Sequence, residues 1–342
     1  MKKLSVAVLL VSLVGSNAFA ATSNNWFHQT GNWNDASKWD PCIIPDGNNE
    51  IQIRYSDSNC TLNTSVGASW EITNRLRVFG DATLTIANGA DLVGVCWMRV
   101  GTAQGPGHLV QTGGTIRFKR GRDNSKFHVG DANGSQGSTY TMSGGTLTYV
   151  DGEGSLWLGY RGGEGKFTVV GTAPKIRMKK LSVGGDISDK AAFGTLEFRV
   201  GSDGVSPLEI SGGISIDPAG AASTANLLVS ATAAPPKADI VLIRNTGGSI
   251  ITGTFDTVQD ANATSAGTEG APVILSYGGT EYHYRLTYKY TDSKSGATNN
   301  VAMIYTSANA AASAVSRPES PNAIPGAGPN APAAKPLPEA KQ

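Results

Sequence analysis

A short phrase returns along the middle of the chain, and its spacing restricts the fold more than any other feature. Met98-Arg99-Val100-Gly101, Phe127-His128-Val129-Gly130, Leu156-Trp157-Leu158-Gly159 and Leu181-Ser182-Val183-Gly184 are copies of one pattern. Leu76-Arg77-Val78-Phe79-Gly80 is a fainter first copy, and the closing glycines follow one another at intervals of 21, 29, 29 and 25 residues. Most copies lead into a second, Gly-rich phrase, as in residues 109–115 (LVQTGGT), 140–146 (YTMSGGT) and 167–173 (FTVVGTA). A third apolar pulse closes each unit: Ile116-Arg117-Phe118, Leu147-Thr148-Tyr149 and Ile176-Arg177-Met178. A period of about 20–50 residues with strand-like alternation and glycine corners marks a solenoid or a propeller. Three pulses per unit fit one coil of a triangular parallel β-helix, whereas a propeller blade needs a fourth strand.

Alternation also assigns faces, because successive side chains of a strand point to opposite sides. Counting back from the repeated glycine, Val100, Val129, Leu158 and Val183 point inward together with Met98, Phe127, Leu156 and Leu181. Arg99, His128, Trp157 and Ser182 then form an outward column, one strand spacing of about 4.8 Å apart. A cation, an imidazole and an indole in line suit an extended, acidic glycan: an indole stacks on sugar rings and a guanidinium holds a carboxylate in a bidentate grip. The same three side chains are equally suited to packing on one another as cross-strand neighbours that shield the sheet.

The paired VG and GGT phrases resemble the Gly-rich repeats of autotransporter passengers and of related secreted bacterial proteins, many of which end in a PEP-CTERM sorting signal. More loosely, the resemblance extends over residues 26–306, from a GNW…W…P-D opening to a VLI, G-x-F, LSYGG and NNV ending. It implies a right-handed β-helix on or outside a Gram-negative cell. It implies no particular activity. The tail lacks both the apolar stretch and basic end of a PEP-CTERM anchor and the translocating β-barrel of an autotransporter.

Before the repeats, residues 1–20 read as a secretory signal: Lys2 and Lys3, a short apolar core, and Ala18-Phe19-Ala20 as the cleavage pattern, so that a mature chain begins at Ala21. That core is too short to span a bilayer of about 30 Å, and no integral membrane segment is expected after cleavage. The expected location is secreted, extracellular or at the cell surface, with the periplasm as the alternative. Residues 21–72 form an aromatic-rich N-terminal cap, in which Trp26, Trp33 and Trp39 either close the open end of the first coil or present a sugar-binding patch. Cys42 and Cys60 fall here, and in an exported chain a disulfide between them is the economical reading. By parity, Cys96 faces the core as an inert thiol. Repeats occupy residues 73–236, C-terminal coils and a cap residues 237–306. In that cap Tyr282, Tyr284, Tyr288 and Tyr290 alternate on long strands that cover the last coil. Residues 307–342 are rich in Ala, Pro and Asn, hold seven of the 16 prolines, and lack the apolar side chains a core requires, so they read as a disordered tail.

Charge narrows the partners. Charged residues make up 16% of the chain and the formal net charge is +1, which argues against nucleic acid. Extracellular polysaccharide or cell-surface components remain the expected partners. The chemistry is sparse. His28, His108, His128 and His283 are scattered, three cysteines lack a zinc spacing, and there is neither a G-x-S-x-G nor a phosphate loop. No catalytic, cofactor or metal site is assigned. A polysaccharide lyase or glycoside hydrolase on this scaffold needs clustered acids on adjacent coils. The residues after the repeated glycines (Thr102, Asp131, Tyr160 and Gly185) give one acid and no pair. Asp151, Glu153 and Glu164 could meet across corners, though solvated loop acids are the commoner outcome. Three readings stand: a non-catalytic structural, adhesive or cell-surface protein, a polysaccharide enzyme, and a carbohydrate-binding module that uses Arg99, His128 and Trp157.

Overall fold

The computed structural model describes residues 23–45, 50–64, 75–95, 97–119, 125–150, 154–185, 191–217, 223–260, 262–293 and 296–310. Residues 1–20, Cys96, Asp151, Glu153 and the residues after Ala310 lie outside the described residues. Among the described residues the chain is all-β apart from one 3-10 turn at Ala36–Lys38, and its strands form three sheets of ten, ten and nine strands. No helix among them is long and apolar enough to cross a membrane.

The chain visits the three sheets in turn. Trp97–Val100 lies in the first, Gly107–Gln111 in the second and Thr115–Phe118 in the third, before Lys126–Asp131 returns to the first. Successive coils pair parallel and in register, with Val100 on Val129, Val129 on Leu158 and Leu158 on Val183. Met98, Phe127, Leu156 and Leu181 make the companion column, and all eight side chains are at most 1% exposed. The parallel β-helix and its interior columns are therefore as the repeats predict. The second sheet adds Leu109, Tyr140, Phe167 and Leu196, and the third Ile116, Leu147, Ile176 and Leu208. Burying each such aliphatic or aromatic side chain contributes about 1.5–3 kcal/mol.

Two glycines explain why the phrase ends as it does. Gly130 turns the corner at φ 79°, and a Cβ there would lie 2.2 Å from the carbonyl oxygen of Glu164 on the next coil. At Gly165 a Cβ would meet the Val129 carbonyl oxygen at 1.8 Å. A polar pair lies inside the core. Gln111 is fully buried, accepting from the Tyr140 hydroxyl at 2.5 Å and donating to the Thr146 carbonyl at 3.1 Å.

Both ends of the solenoid are covered. Ser23–Phe27 pairs parallel with Glu50–Arg54 and antiparallel with Trp39–Asp40. Trp26, Trp33 and Trp39 are at most 2% exposed and meet edge to face at 5.1 and 4.9 Å. The Trp39 indole donates to the Trp33 carbonyl at 2.8 Å. Their ring faces are consumed by packing, so the tryptophans form a cap and no sugar platform. At the other end Pro272–Tyr277, Thr280–Tyr290 and Asn300–Ala310 pair antiparallel and join the third sheet against Ile240–Asn245. Tyr282, Tyr284 and Tyr288 are buried in this cap, Tyr290 only partly. The last strand runs to Ala310, into the segment that composition assigns to the tail.

The expected disulfide is not formed. Cys42 and Cys60 are both free thiols, Cys42 exposed and Cys60 buried. Cys60 occupies an inward position of Asn59–Leu62, in register with Leu84, and so points into the core, while Cys42 lies on the exposed stretch after Asp40. Burial pushes the Cys60 thiol well above its ordinary pKa.

Candidate functional site

Arg99, His128 and Trp157 do stack in one outward column of the first sheet, Arg99 beside His128 and His128 beside Trp157, with Arg77 before them and Ser182 after. The column is not an open ladder. His128 is only 1% exposed. Trp97 and Trp157 stand edge-on to its ring at 6.1 Å on either side, and Tyr160 tilts over it at 4.6 Å. Neither ring nitrogen has a hydrogen-bond partner. Asp131 Oδ1 lies 3.5 Å from Nδ1.

Asp131 is the centre of the cluster. Gly130 sets the turn that brings its carboxylate back under the column, where the side chain is fully buried. Arg99 Nε lies 2.7 Å from Oδ2, and Arg161 Nη2 lies 2.8 Å from Oδ1. The Arg99 guanidinium also sits 3.9 Å above the Trp97 ring, whose own centre Arg75 approaches at 4.5 Å. Arg99 is thereby held between an indole and a carboxylate, by a cation–π contact on one side and an ion pair through Nε on the other.

Electrostatics follow from this packing. Burial works to raise the Asp131 carboxyl, but the approach of His128 and the charges of Arg99 and Arg161 outweigh it and bring it down to about 2. Burial lowers Arg99 to about 10 against the pull of Asp131. Burial also takes His128 below its ordinary value, against Asp131. At neutral pH the cluster is a neutral imidazole beside one carboxylate and two guanidinium groups. An imidazole next to a carboxylate can serve as a general base when a substrate reaches its free nitrogen. Here three aromatic rings cover that nitrogen.

Comparable ties recur on the other faces. Glu50 meets Arg77 at 2.8 Å. Glu197 meets Arg199 at 2.8 Å and Lys166 at 3.4 Å, and accepts from Thr168 at 2.8 Å. Glu209 bridges Arg177 and Arg244, and Arg244 continues to Asp292. Two acids differ. Asp91 and Asp217 each keep one buried carboxylate oxygen without a partner. Burial raises the Asp217 carboxyl, with neighbouring Asp256 adding to it, yet Asp256 is pinned by the Ala225 amide at 2.7 Å. Glu164 opens the strand Glu164–Val170 as an exposed residue. Among the described residues no three His, Cys, Asp or Glu side chains are grouped to hold a metal ion.

Sequence reasoning placed the column but missed what covers it. Trp97, Asp131, Tyr160 and Arg161 complete the cluster. A signal was present: among the four full copies of the phrase, Asp131 is the one acid directly after the closing glycine, on the coil next to Arg99 and one before Arg161. No family model, no curated protein and no solved structure matches this chain.

Proposed function

We propose that the chain is a secreted, non-catalytic β-helix protein with a structural or adhesive role at the cell surface. The observation that carries this reading is the pairing of the acids on the strand faces. Glu50, Asp131, Glu197 and Glu209 are each tied to a base on the same or an adjacent coil. Such ties favour the ionised form. Asp131 and Glu197 both lie below the ordinary carboxylate range, against the effect of burial. A glycosidase needs the opposite, one carboxyl kept protonated by a raised pKa across the scissile bond from a second; among the described residues Asp217, raised by burial with Asp256 beside it, departs from the paired pattern, and Asp256 is held by the Ala225 amide. The Arg99, His128 and Trp157 column is read in the same way, as side chains that shield one face and join three coils. The repeat architecture and the resemblance of its VG and GGT phrases to secreted bacterial β-helices support a role outside the cytoplasm. Incubation of the mature chain with a panel of acidic and neutral polysaccharides, followed by reducing-end and unsaturated-product assays, tests the reading. No product above the protein-free blank is expected. Turnover that disappears on Glu197→Gln or Asp217→Asn would overturn it.

A further inference from the structure

A groove of about 450 Å³ opens on the outer face of the third sheet, whereas the Arg99 column lies on the first. Its floor is short and hydroxylic, with Thr146 and Thr148 on the strand Thr146–Tyr149. On the next coil long cations replace them, because Lys175 pairs in register with Thr146 and Arg177 follows on the same outward face. The depression is thus a direct product of sequence: two threonines beside a lysine and an arginine at equivalent repeat positions. Pro174 and Pro207 wall it, and the Ser206 hydroxyl, 2.9 Å from the Thr172 carbonyl oxygen and 2.6 Å from that of Pro174, pins that wall.

The groove crosses successive coils. Arg177 is in register with Glu209 and Glu209 with Arg244, so with Thr146 it spans four strands, three steps of about 4.8 Å. Its volume falls in the range of about 300–1,000 Å³ usual for ligand sites. Lys175 is exposed and stands outside the ion pairs among the described residues, and the Arg177 side chain is 67% exposed although its Nε and Nη2 donate to Glu209 at 3.3 and 3.1 Å, which leaves Nη1 for a ligand. Beyond Arg244 and Pro207 a second groove of about 320 Å³ continues the first, lined by Asp203, Asp239 and Asp292 with Tyr290. A long ligand therefore meets cations and hydroxyls first, then carboxylates.

We infer that this groove binds an acidic glycan in which uronic-acid residues alternate with neutral sugars. One carboxylate sits on Lys175 and Arg177, and neutral hydroxyl-bearing rings extend toward Asp203 and Asp239, which repel a second nearby carboxylate. Guanidinium and ammonium together recognise the carboxylate, the threonine hydroxyls accept and donate to sugar hydroxyls, and the prolines offer apolar surface to ring faces. This deepens the adhesive reading above and rests on it only in that the glycan is held without being cut.

Isothermal titration of the mature chain with a hyaluronan tetrasaccharide, with chitotetraose as the neutral comparator, tests the inference. Saturable binding of the acidic probe is expected, at least tenfold tighter than the neutral one. It is expected to weaken at least tenfold in the Lys175→Ala, Arg177→Ala double variant and to be unchanged in Trp157→Ala. Both replaced side chains point to solvent and Glu209 keeps Arg244, so the double variant should melt within a few degrees of the parent; Lys175→Gln, Arg177→Gln repeats the test with bulk retained. No binding, equal binding of the neutral probe, or binding lost in Trp157→Ala and retained in the double variant would overturn the site. Cleavage of the bound probe would instead overturn the non-catalytic reading while leaving the site in place.

Discussion

Replacing Asp131 by asparagine removes one charge from the centre of the first-sheet cluster and keeps its size. Arg99, with a side chain only 12% exposed, then faces an amide at 2.7 Å, while Arg161, 42% exposed, can turn to water. The cost can be bounded from the carboxyl itself. A displacement from 3.8 to about 2 means that the fold favours the anion by about 2.5 kcal/mol, at about 1.36 kcal/mol per unit. Removing one partner of a fully buried pair costs about 3–5 kcal/mol, and the partial exposure of Arg161 brings the expectation to about 2–3 kcal/mol. At about 2–4 °C per kcal/mol for a chain of this size, melting followed by near-ultraviolet circular dichroism should fall by about 4–12 °C. The pH dependence gives a second handle. The Asp131 contribution is complete above the unfolded value near 3.8 and is lost as pH falls toward about 2. His128, also displaced downward, makes the unfolded chain the better proton acceptor below 6.5, so stability declines from there as well. In Asp131→Asn the lower limb should lose the part due to Asp131, Glu197 keeping a remainder, while the upper one persists. A variant that melts within 1 °C of the parent and keeps the whole of the parent's limb below pH 4 would refute the argument.

Three further outcomes follow from the packing. Trp157→Ala strips one wall from His128, so its imidazole should titrate closer to 6.5 by NMR, with a loss of about 1–3 kcal/mol for a half-buried aromatic; an unmoved titration would mean the indole does not shield it. Gly165→Ala drives a methyl to 1.8 Å from the Val129 carbonyl oxygen and should cost at least about 2 kcal/mol in thermal stability, whereas Gly213→Ala, with nothing within 4 Å, should be tolerated; equal melting temperatures would contradict the coil closure. An aromatic disulfide reagent should label Cys42 in the native protein and reach Cys60 only after denaturation, and protection of both, reversed by reductant, would restore the bridge.

The repeats made the core legible because their grammar is physical. A period of two assigns inside and outside, and a glycine recurs wherever a Cβ would strike the carbonyl of the neighbouring coil, as at Gly130 and Gly165. Columns such as Val100, Val129, Leu158 and Val183 could therefore be written down in advance. What the outward residues do could not, because parity says which way a side chain leaves the sheet and not what lies over it. His128 points outward yet is covered by Trp97, Trp157 and Tyr160. Cys42 and Cys60 show the same limit in reverse, since proximity in sequence and an expected export signal favour a bridge, whereas Cys60 is buried in the core, Cys42 is exposed and both are free. The third-sheet groove was hidden for another reason. It arises from differences in side-chain length between equivalent positions on successive coils, Thr146 against Lys175, which a search for shared features passes over.

The account turns on whether the outward acids are permanent ionic ties between coils. Carbon-detected NMR of the mature protein with labelled carboxyl groups measures this directly by following Asp131 and Glu197 through an acid titration. Both should remain ionised from neutral pH to below the ordinary carboxylate range, Asp131 losing its charge only at about 2. A midpoint for either residue at or above its ordinary value of 3.8 or 4.5 would contradict the account and return that carboxyl to the list of candidate acids for glycan cleavage.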